Sequence, residues 1–443
     1  MHARAQSLPP LVGSDLEAAF VHLASQHPNV FWLDAGAHAR SGWSFLGFGD
    51  PGSEAEIFAT RVEGGPSAST WSAGPFQGGW VGWAGYDSAA ERAGAPVGPE
   101  RDSTPSSAWI QATSWIALDH ATGETWAVGG SADDSHTWAA EAGDLLNATV
   151  DAVSSLAKKR VTAAERHSAE HYANLIHECR DAIRAGDAYQ LCLTTRFTVS
   201  GTHDPVTAYR RLRASSRTGR GCFVRTRTDD GGSVALCSAT PEQFLRADAG
   251  VIRTRPIKGT RPRGTDAESD SRLAQELAES EKERAENVMI VDLMRNDLSR
   301  VCEPGTVRVD ELLAIESYPH VHQLVSTVSG ELRPNVTVGE LLHRTFPAGS
   351  MTGAPKLSAM TILHRLEAGP RGAYAGCVGW IGAAGNLDLA MTIRTIVVTP
   401  TEASVGAGGG ITWSSDAAEE VREVGIKASA PLAALGAHLP AGW

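Results

Sequence analysis

The sequence predicts an α+β protein, and three observations carry that prediction. The first 150 or so residues are rich in Gly, Trp and Ser, with short apolar runs between turn residues: VFWLDAG, WSFLGFG, GGWVGWAGYD, SAWIQATSWIALDH and TWAVGG. Runs of this length and composition are strand signals. From about residue 165 onward, strand-like runs are interspersed with helical periodicities. At 443 residues, with 42% hydrophobic and 20% charged residues, the chain is long enough for two domains or one large composite. The composition shift suggests a β-rich region over 1–150 and a second, larger region over 165–430.

The elements follow in order. The start, MHARAQSLPPLVG, lacks the apolar core of a signal peptide, and no run of about 18 apolar residues occurs. A cytoplasmic protein with no membrane segment is expected. GGWVGWAGY is Gly-rich but lacks the Lys-Ser/Thr ending of a phosphate loop, so a tightly packed strand is expected there. Residues 138–160 read as a helical connector. In HYANLIHECRDAIRAG, Tyr172, Leu175, Ile176, Cys179 and Ile183 fall at helical spacing and Gly186 is a C-cap. DAYQLCLTTRFTV, VALCSATPEQFLRAD and GVIRTRPIKG read as strands. Two longer helices are expected in DSRLAQELAESEKERAENVMIVDLMRNDLSR and VGELLHRTF. A hairpin-like pair in GCVGWIGAAGNLDLAMTIRTIVVTP precedes a last helix from about Asp416, where Asp416 and Glu419 resemble a capping box.

The formal net charge of -12 argues against nucleic acid as a partner. It also means that a small dianionic substrate would need a local positive cluster. The six cysteines, Cys179, Cys192, Cys222, Cys237, Cys302 and Cys377, form no C-x-x-C pair and read as buried free thiols.

Four groups of residues bear on chemistry. Glu283 and Glu286 share one helix face, as do Glu420, Glu423 and Lys427 on the last helix. Two helices presenting carboxylates can hold a hard cation such as magnesium, although spacing alone favours two solvated faces. The segment RTRPIKGTRPRG concentrates Arg253, Arg255, Lys258, Arg261 and Arg263. Lys258, between Ile and Gly, suggests a lysine of depressed pKa able to act as a nucleophile, against the plainer reading of a solvated basic loop. Glu242, in SATPEQFL, is the one acid in a neutral run and a candidate general acid if buried. Finally, FPAGSMTGAPK and GAGGGIT read as Gly-rich turns whose amides can approach an anion.

Taken in order along the chain, YANLIHECRDAIRAGDAYQLCLTTRF, ATPEQFL, TRPIKGTRPRG, SEKERAENVMIVDLMRNDL, FPAGSMTGAPK, YAGCVGWIG, IRT, GAGGGIT and EEVREVGIKA resemble the chorismate-utilising enzymes. The resemblance spans roughly residues 165–430, and FWLD, WSFLG and GGWVGWAGYD resemble the family's N-terminal region more loosely. It implies a sandwich of two large antiparallel sheets with helices outside and chorismate in the cleft. Glu286 and Glu423 are then similar to the family's magnesium ligands, with Glu283 and Glu420 close behind. Arg394 and Tyr374 resemble the clamp on the enolpyruvyl carboxylate, assisted by Gly409, Gly410 and Lys427. Gly259, Thr260 and Ser350 resemble ring-side contacts, and Glu242 the acid at the leaving hydroxyl.

Two positions bear on which reaction the resemblance implies. Gln190 stands where the water-using members carry a lysine base. The segment PIKGT, with Lys258, resembles the members that aminate chorismate at C4; the anthranilate-forming members typically read PIAGT. Lysine addition at C2 with loss of the C4 hydroxyl, followed by ammonia attack at C4, aminates C4 through two allylic displacements. The implied product is 4-amino-4-deoxychorismate, on the route to 4-aminobenzoate and folate; amination at C2, giving anthranilate or 2-amino-2-deoxyisochorismate, is the alternative. Gln323 departs from the family's histidine, and His322 is expected to point elsewhere on the strand. Cys192 stands where asparagine is frequent. No glutaminase domain is evident, so a glutamine amidotransferase subunit supplying ammonia is the implied partner. Asp34 and Ser44 are weak candidates for a tryptophan-type pocket of the kind relatives carry.

Overall fold

The computed structural model describes residues 3–10, 16–62, 71–96, 98, 104–130, 132–151, 161–216, 219–228 and 231–443. Its architecture turns on one strand, Ser107–Asp119, which serves two sheets. Trp43–Pro51 runs along one edge of it. The opposite edge is divided between Gly79–Ala84, on its first half, and Thr125–Gly129, on its second. From Trp43–Pro51 the first sheet continues through Val30–Asp34, Gly221–Arg227, Ser233–Ala239, Thr395–Val398, Glu402–Ile411 and Gln190–Ser200. From Gly79–Ala84 the second runs through Cys377–Gly382, Leu387–Met391, Gln243–Asp248 and Val251–Arg255 to Val321–Glu331. Ile257–Pro262 lies along the same strand beyond Val251–Arg255, and Arg308–Ser317 lies on its far edge. All these pairings are antiparallel.

The period-two alternation of the strands sorts their side chains into layers. Val30 and Trp32 face outward into a core shared with helices Glu17–Gln26, Pro205–Ser215, Ala169–Ala185 and Ala417–Ala434. Phe31, between them, faces inward to a core drawn from both sheets, with Phe45, Phe76, Trp83, Trp115, Trp126 and Trp380. The rings of Phe76 and Trp115 lie 5.0 Å apart, and those of Phe76 and Trp380 5.6 Å. Each buried aromatic removes enough area to contribute roughly 4–6 kcal/mol before entropy is counted. Helices Glu281–Ser299 and Val338–Thr345 cover the other face of the second sheet. The result is the sandwich with outer helices that the sequence implied.

Strands from the first 150 residues and from the rest are hydrogen-bonded neighbours in both sheets, so the two regions are interleaved. Three local expectations change. The long helical run breaks at Ser280, which ends Ala267–Glu279 and whose hydroxyl accepts from Glu283 N to start Glu281–Ser299. The connector is a helix over Ala132–Leu146, and 152–160 lie outside the described residues. GAGGGIT is mostly strand rather than turn: Gly406 to Ile411 pair with Arg196 to Leu191. The reason is close approach. A Cβ on Gly406 would lie 2.2 Å from the Tyr374 ring, and one on Gly410 2.3 Å from Gln190 Nε2. All six cysteines are buried and unpaired. Among the described residues, no helix is long and apolar enough to cross a membrane.

Candidate active site

A cavity of 620 Å³ opens between the two sheets' helices. Its wall contains Glu242, Lys258, Gly259, Thr260, Glu283, Glu286, Gln323, Tyr374, Arg394, Gly410, Glu420, Glu423 and Lys427. Three expected residues stand just behind it. Gln190 is buried, with its amide nitrogen against Gly410, and Lys258 Nζ would lie 3.5 Å from a Cβ at that glycine. Ser350 hydrogen-bonds Glu242. A Cβ on Gly409 would lie 3.1 Å from Glu420 Oε2.

The acids arrive on two helices. Asn287 fixes Glu281–Ser299 to strand Val321–Glu331: its amide donates to Leu324 O (3.3 Å), and its side-chain oxygen accepts from Ser326 Oγ (2.5 Å). That docking turns Glu283 and Glu286 to the cavity. Helix Ala417–Ala434 starts at Asp416, whose carboxylate accepts from Glu419 N (3.0 Å), and it buries Val421, Val424 and Ala428. Its other face presents Glu420, Glu423 and Lys427. Lys427 Nζ reaches Glu423 (2.6 Å) and donates to Gly408 O (2.9 Å).

The acids are oxygen donors of the kind magnesium prefers. Among the described residues no three metal-ligating side chains converge tightly enough to cage an ion by themselves. This suits a cation that takes one or two carboxylates and completes its shell with water and substrate oxygens. Burial pushes Glu286 up to about 7, with Glu283 and Glu420 adding to the rise against Lys258 and Lys282. A carboxylate so crowded by others gains from a nearby cation.

Lys258 corrects an expectation. Burial works to lower its pKa, but Glu286, Cys192, Glu242 and Glu423 outweigh burial and hold the amine above the ordinary lysine range. The neighbouring acids, which the local sequence Ile-Lys-Gly does not reveal, decide the sign. Glu242 behaves as expected: burial raises its pKa, against Lys258, Ser350 and Lys427. Arg394 sits in the left-handed region at φ 53°, a strained backbone of the kind found where a side chain must be aimed. Burial lowers its pKa, against Tyr374 and Glu423.

The structure turns other residues away from the cavity. Arg255 pairs with Glu316, and Arg263 forks onto Asp270 at 2.6 and 2.7 Å. His322 faces away, between Ser317 Oγ (2.8 Å) and Asp270 (3.0 Å), while Gln323 faces the cavity beside Thr260. Asp34 is occupied by Arg213 (2.5 Å) and the Tyr209 hydroxyl (3.2 Å), and Ser44 by His120 and Ala35 N.

Three lining residues escaped the sequence reading: Arg261, Lys282 and His320. Lys282 was legible in principle, since it lies four residues before Glu286 on the same helix face. With them, the wall carries five cationic side chains (Lys258, Arg261, Lys282, Arg394, Lys427) and five carboxylates (Glu242, Glu283, Glu286, Glu420, Glu423). The expected excess of positive charge is therefore absent.

Beneath the wall lies a hub that the sequence also did not reveal. Arg371 forks onto Glu367 (2.6 and 2.7 Å) and donates to Cys192 O (2.8 Å) and Met351 O (2.6 Å). Its guanidinium lies 4.1 Å from the centre of the Tyr86 ring. Glu367 in turn accepts from Thr194 N (2.9 Å). This ties strand Gln190–Ser200 to the segment bearing Ser350 and, three residues on, to Tyr374.

The family described as chorismate binding enzyme matches residues 49–433. An aminodeoxychorismate synthase of Streptomyces pristinaespiralis is 37% identical over 98% of this chain and 65% of its own length. Thus the chain spans less than two thirds of that relative. An anthranilate synthase component 1 of Mycolicibacterium smegmatis is 34% identical over 95% of this chain and 88% of its own. The crystal structure of anthranilate synthase component I from Streptococcus pneumoniae superposes with a TM-score of 0.73 at 27% identity, covering 97% of this chain and 92% of that one. On the extent of these matches, the chain belongs to the chorismate binding enzymes.

Proposed function

We propose that the chain aminates chorismate at C4, giving 4-amino-4-deoxychorismate on a route to 4-aminobenzoate. The observation that carries this reading is Lys258 in the wall of the cavity, coupled to both Glu242 and Glu286. Arg394 takes a substrate carboxylate, a use suited to its planar fork, with Tyr374 beside it. Lys258 passes a proton to Glu242, and the freed amine attacks C2. The ring double bond shifts and the C4 hydroxyl leaves as water with the proton from Glu242. Ammonia then attacks C4, the double bond shifts back, and the Lys258 amine leaves C2. Gln190, being neutral and buried, offers no base to activate water in place of ammonia.

Magnesium, held by Glu286 and Glu423 with Glu283 and Glu420 behind them, would offset charge on the ring carboxylate and relieve the acids that keep Lys258 protonated. Ammonia comes from a glutamine amidotransferase subunit; two of the relatives are named as first components, which supports a companion chain. Gln323, in place of a histidine, suits a reaction that stops with the enolpyruvyl group still attached.

Product analysis tests the reading. Incubation with chorismate, Mg²⁺ and ammonium should yield a C4-aminated product that retains its side chain. Amination at C2, the outcome that the likeness to anthranilate synthase component 1 favours, would sink it. With ammonia withheld, mass spectrometry should find a chorismate-derived adduct on Lys258, and Lys258→Ala should abolish it.

A further inference from the structure

Each of the four glutamates on the two helices already has a cationic neighbour. Arg261 lies 3.6 Å from Glu283, Lys427 2.6 Å from Glu423, and Lys282 3.4 Å from Glu420, while Lys258 couples most strongly to Glu286. The partners differ in what else holds them. Lys427 is also bound to a backbone carbonyl, Arg261 also reaches Glu276 (3.0 Å), and Lys258 is in the proposed chemistry. Lys282 has Glu420 as its one hydrogen-bonded partner among those resolved here, and its side chain is 42% exposed. It can therefore swing into solvent at little cost in packing. Glu420 is 4% exposed and is held from the other side by Ser415 Oγ at 2.8 Å, so it cannot follow.

We infer that Lys282 is a resident counter-ion of the acid cluster, displaced when a divalent cation enters. With five cationic and five anionic side chains in the wall, a divalent cation alone or a dianion alone breaks the balance, and the two together preserve it. The cation then binds well only with the dianionic substrate, and by linkage each raises the other's affinity by the same factor. This inference rests on the magnesium-dependent reading of the site.

The test is Mn²⁺ binding, followed by the loss of the free-ion electron paramagnetic resonance signal, with and without chorismate and without ammonia. Wild-type protein, Lys282→Gln and the control Arg295→Gln are compared; Arg295 is on the same helix, half-exposed, and pairs only with Asp292. Wild type and the control should bind Mn²⁺ weakly alone and on the order of tenfold more tightly with chorismate. Lys282→Gln should bind Mn²⁺ alone on the order of tenfold more tightly than wild type, with a smaller chorismate effect. Equal affinity in wild type and Lys282→Gln, or a wild-type affinity indifferent to chorismate, overturns the inference and leaves the magnesium reading standing. Failure of all three proteins to bind Mn²⁺ even with chorismate removes the magnesium reading itself, and this inference with it.

Discussion

Replacing Arg371 with Met should be among the most damaging single changes in the molecule. Arg371 and Glu367 are 1% and 4% exposed, so the variant leaves a carboxylate buried without its cation. Breaking a buried pair from one side costs about 3–5 kcal/mol. The carbonyls of Cys192 and Met351 lose their donors too, and each orphaned buried acceptor adds about 1–3 kcal/mol. Thr194 N still binds Glu367, which softens the loss. A net destabilisation of about 4–6 kcal/mol is expected, a large part of the whole stability of an ordinary domain. Urea unfolding at matched slope reads this directly. Arg371→Lys keeps a charge opposite Glu367 but cannot fork, and should lose about 1–3 kcal/mol. Arg365→Met, on the exposed side of the same helix, should stay within about 0.5 kcal/mol of wild type. A loss below about 1 kcal/mol in Arg371→Met would show that the hub carries no such weight.

Three further outcomes are expected. Gly406→Ala drives a methyl group to 2.2 Å from the Tyr374 ring, so steady-state kinetics should give a kcat/KM for chorismate at least about tenfold lower; unchanged kinetics would mean that Tyr374 is not needed where it stands. Arg394→Lys removes a fork from a substrate carboxylate and should raise KM for chorismate about 10–100-fold, more than it lowers kcat, on the roughly 1.5–3 kcal/mol of a charged hydrogen bond. Glu286 titrates near 7 in the folded, metal-free protein and near 4.5 when unfolded, so the folded state binds the extra proton between those values. Its contribution to stability therefore falls as pH rises from about 4.5 to about 7, by up to about 3 kcal/mol. Melting curves should show wild type losing ground to Glu286→Gln over pH 5–8; parallel curves would refute the shift.

What the sequence disclosed, and what it hid, follows the range of the interactions. The helix Ala169–Ala185, ending at Gly186 with φ 86°, was legible because periodicity and cap are both local. The sandwich and the gathering of the candidate residues came through resemblance; the spacing of the acids alone favoured two solvated helix faces. The glycines of Gly406–Gly410 misled as turn signals because what demands them, Tyr374 and Gln190, lies far away in sequence. Lys258 misled for the same reason: its immediate neighbours are apolar, whereas the charges that govern it stand on other elements. Arg371 and Glu367 were invisible as a pair, since an Arg four residues after a Glu on a helix is usually a solvated contact. Only the sheets closing over them make it a hub.

The double membership of strand Ser107–Asp119, with the interleaving it imposes, has a consequence for synthesis. Gly79–Ala84 finds its second neighbour only in Cys377–Gly382, and Val30–Asp34 finds one only in Gly221–Arg227. At about 5–20 residues per second, the ribosome needs roughly 15–60 s to pass from the first of these strands to its partner. Through that interval the nascent N-terminal strands, among the most tryptophan-rich parts of the chain, present open edges. Association between nascent chains is the characteristic hazard of such edges. Chaperone dependence during translation should therefore exceed that of a protein of equal length whose domains close one after another.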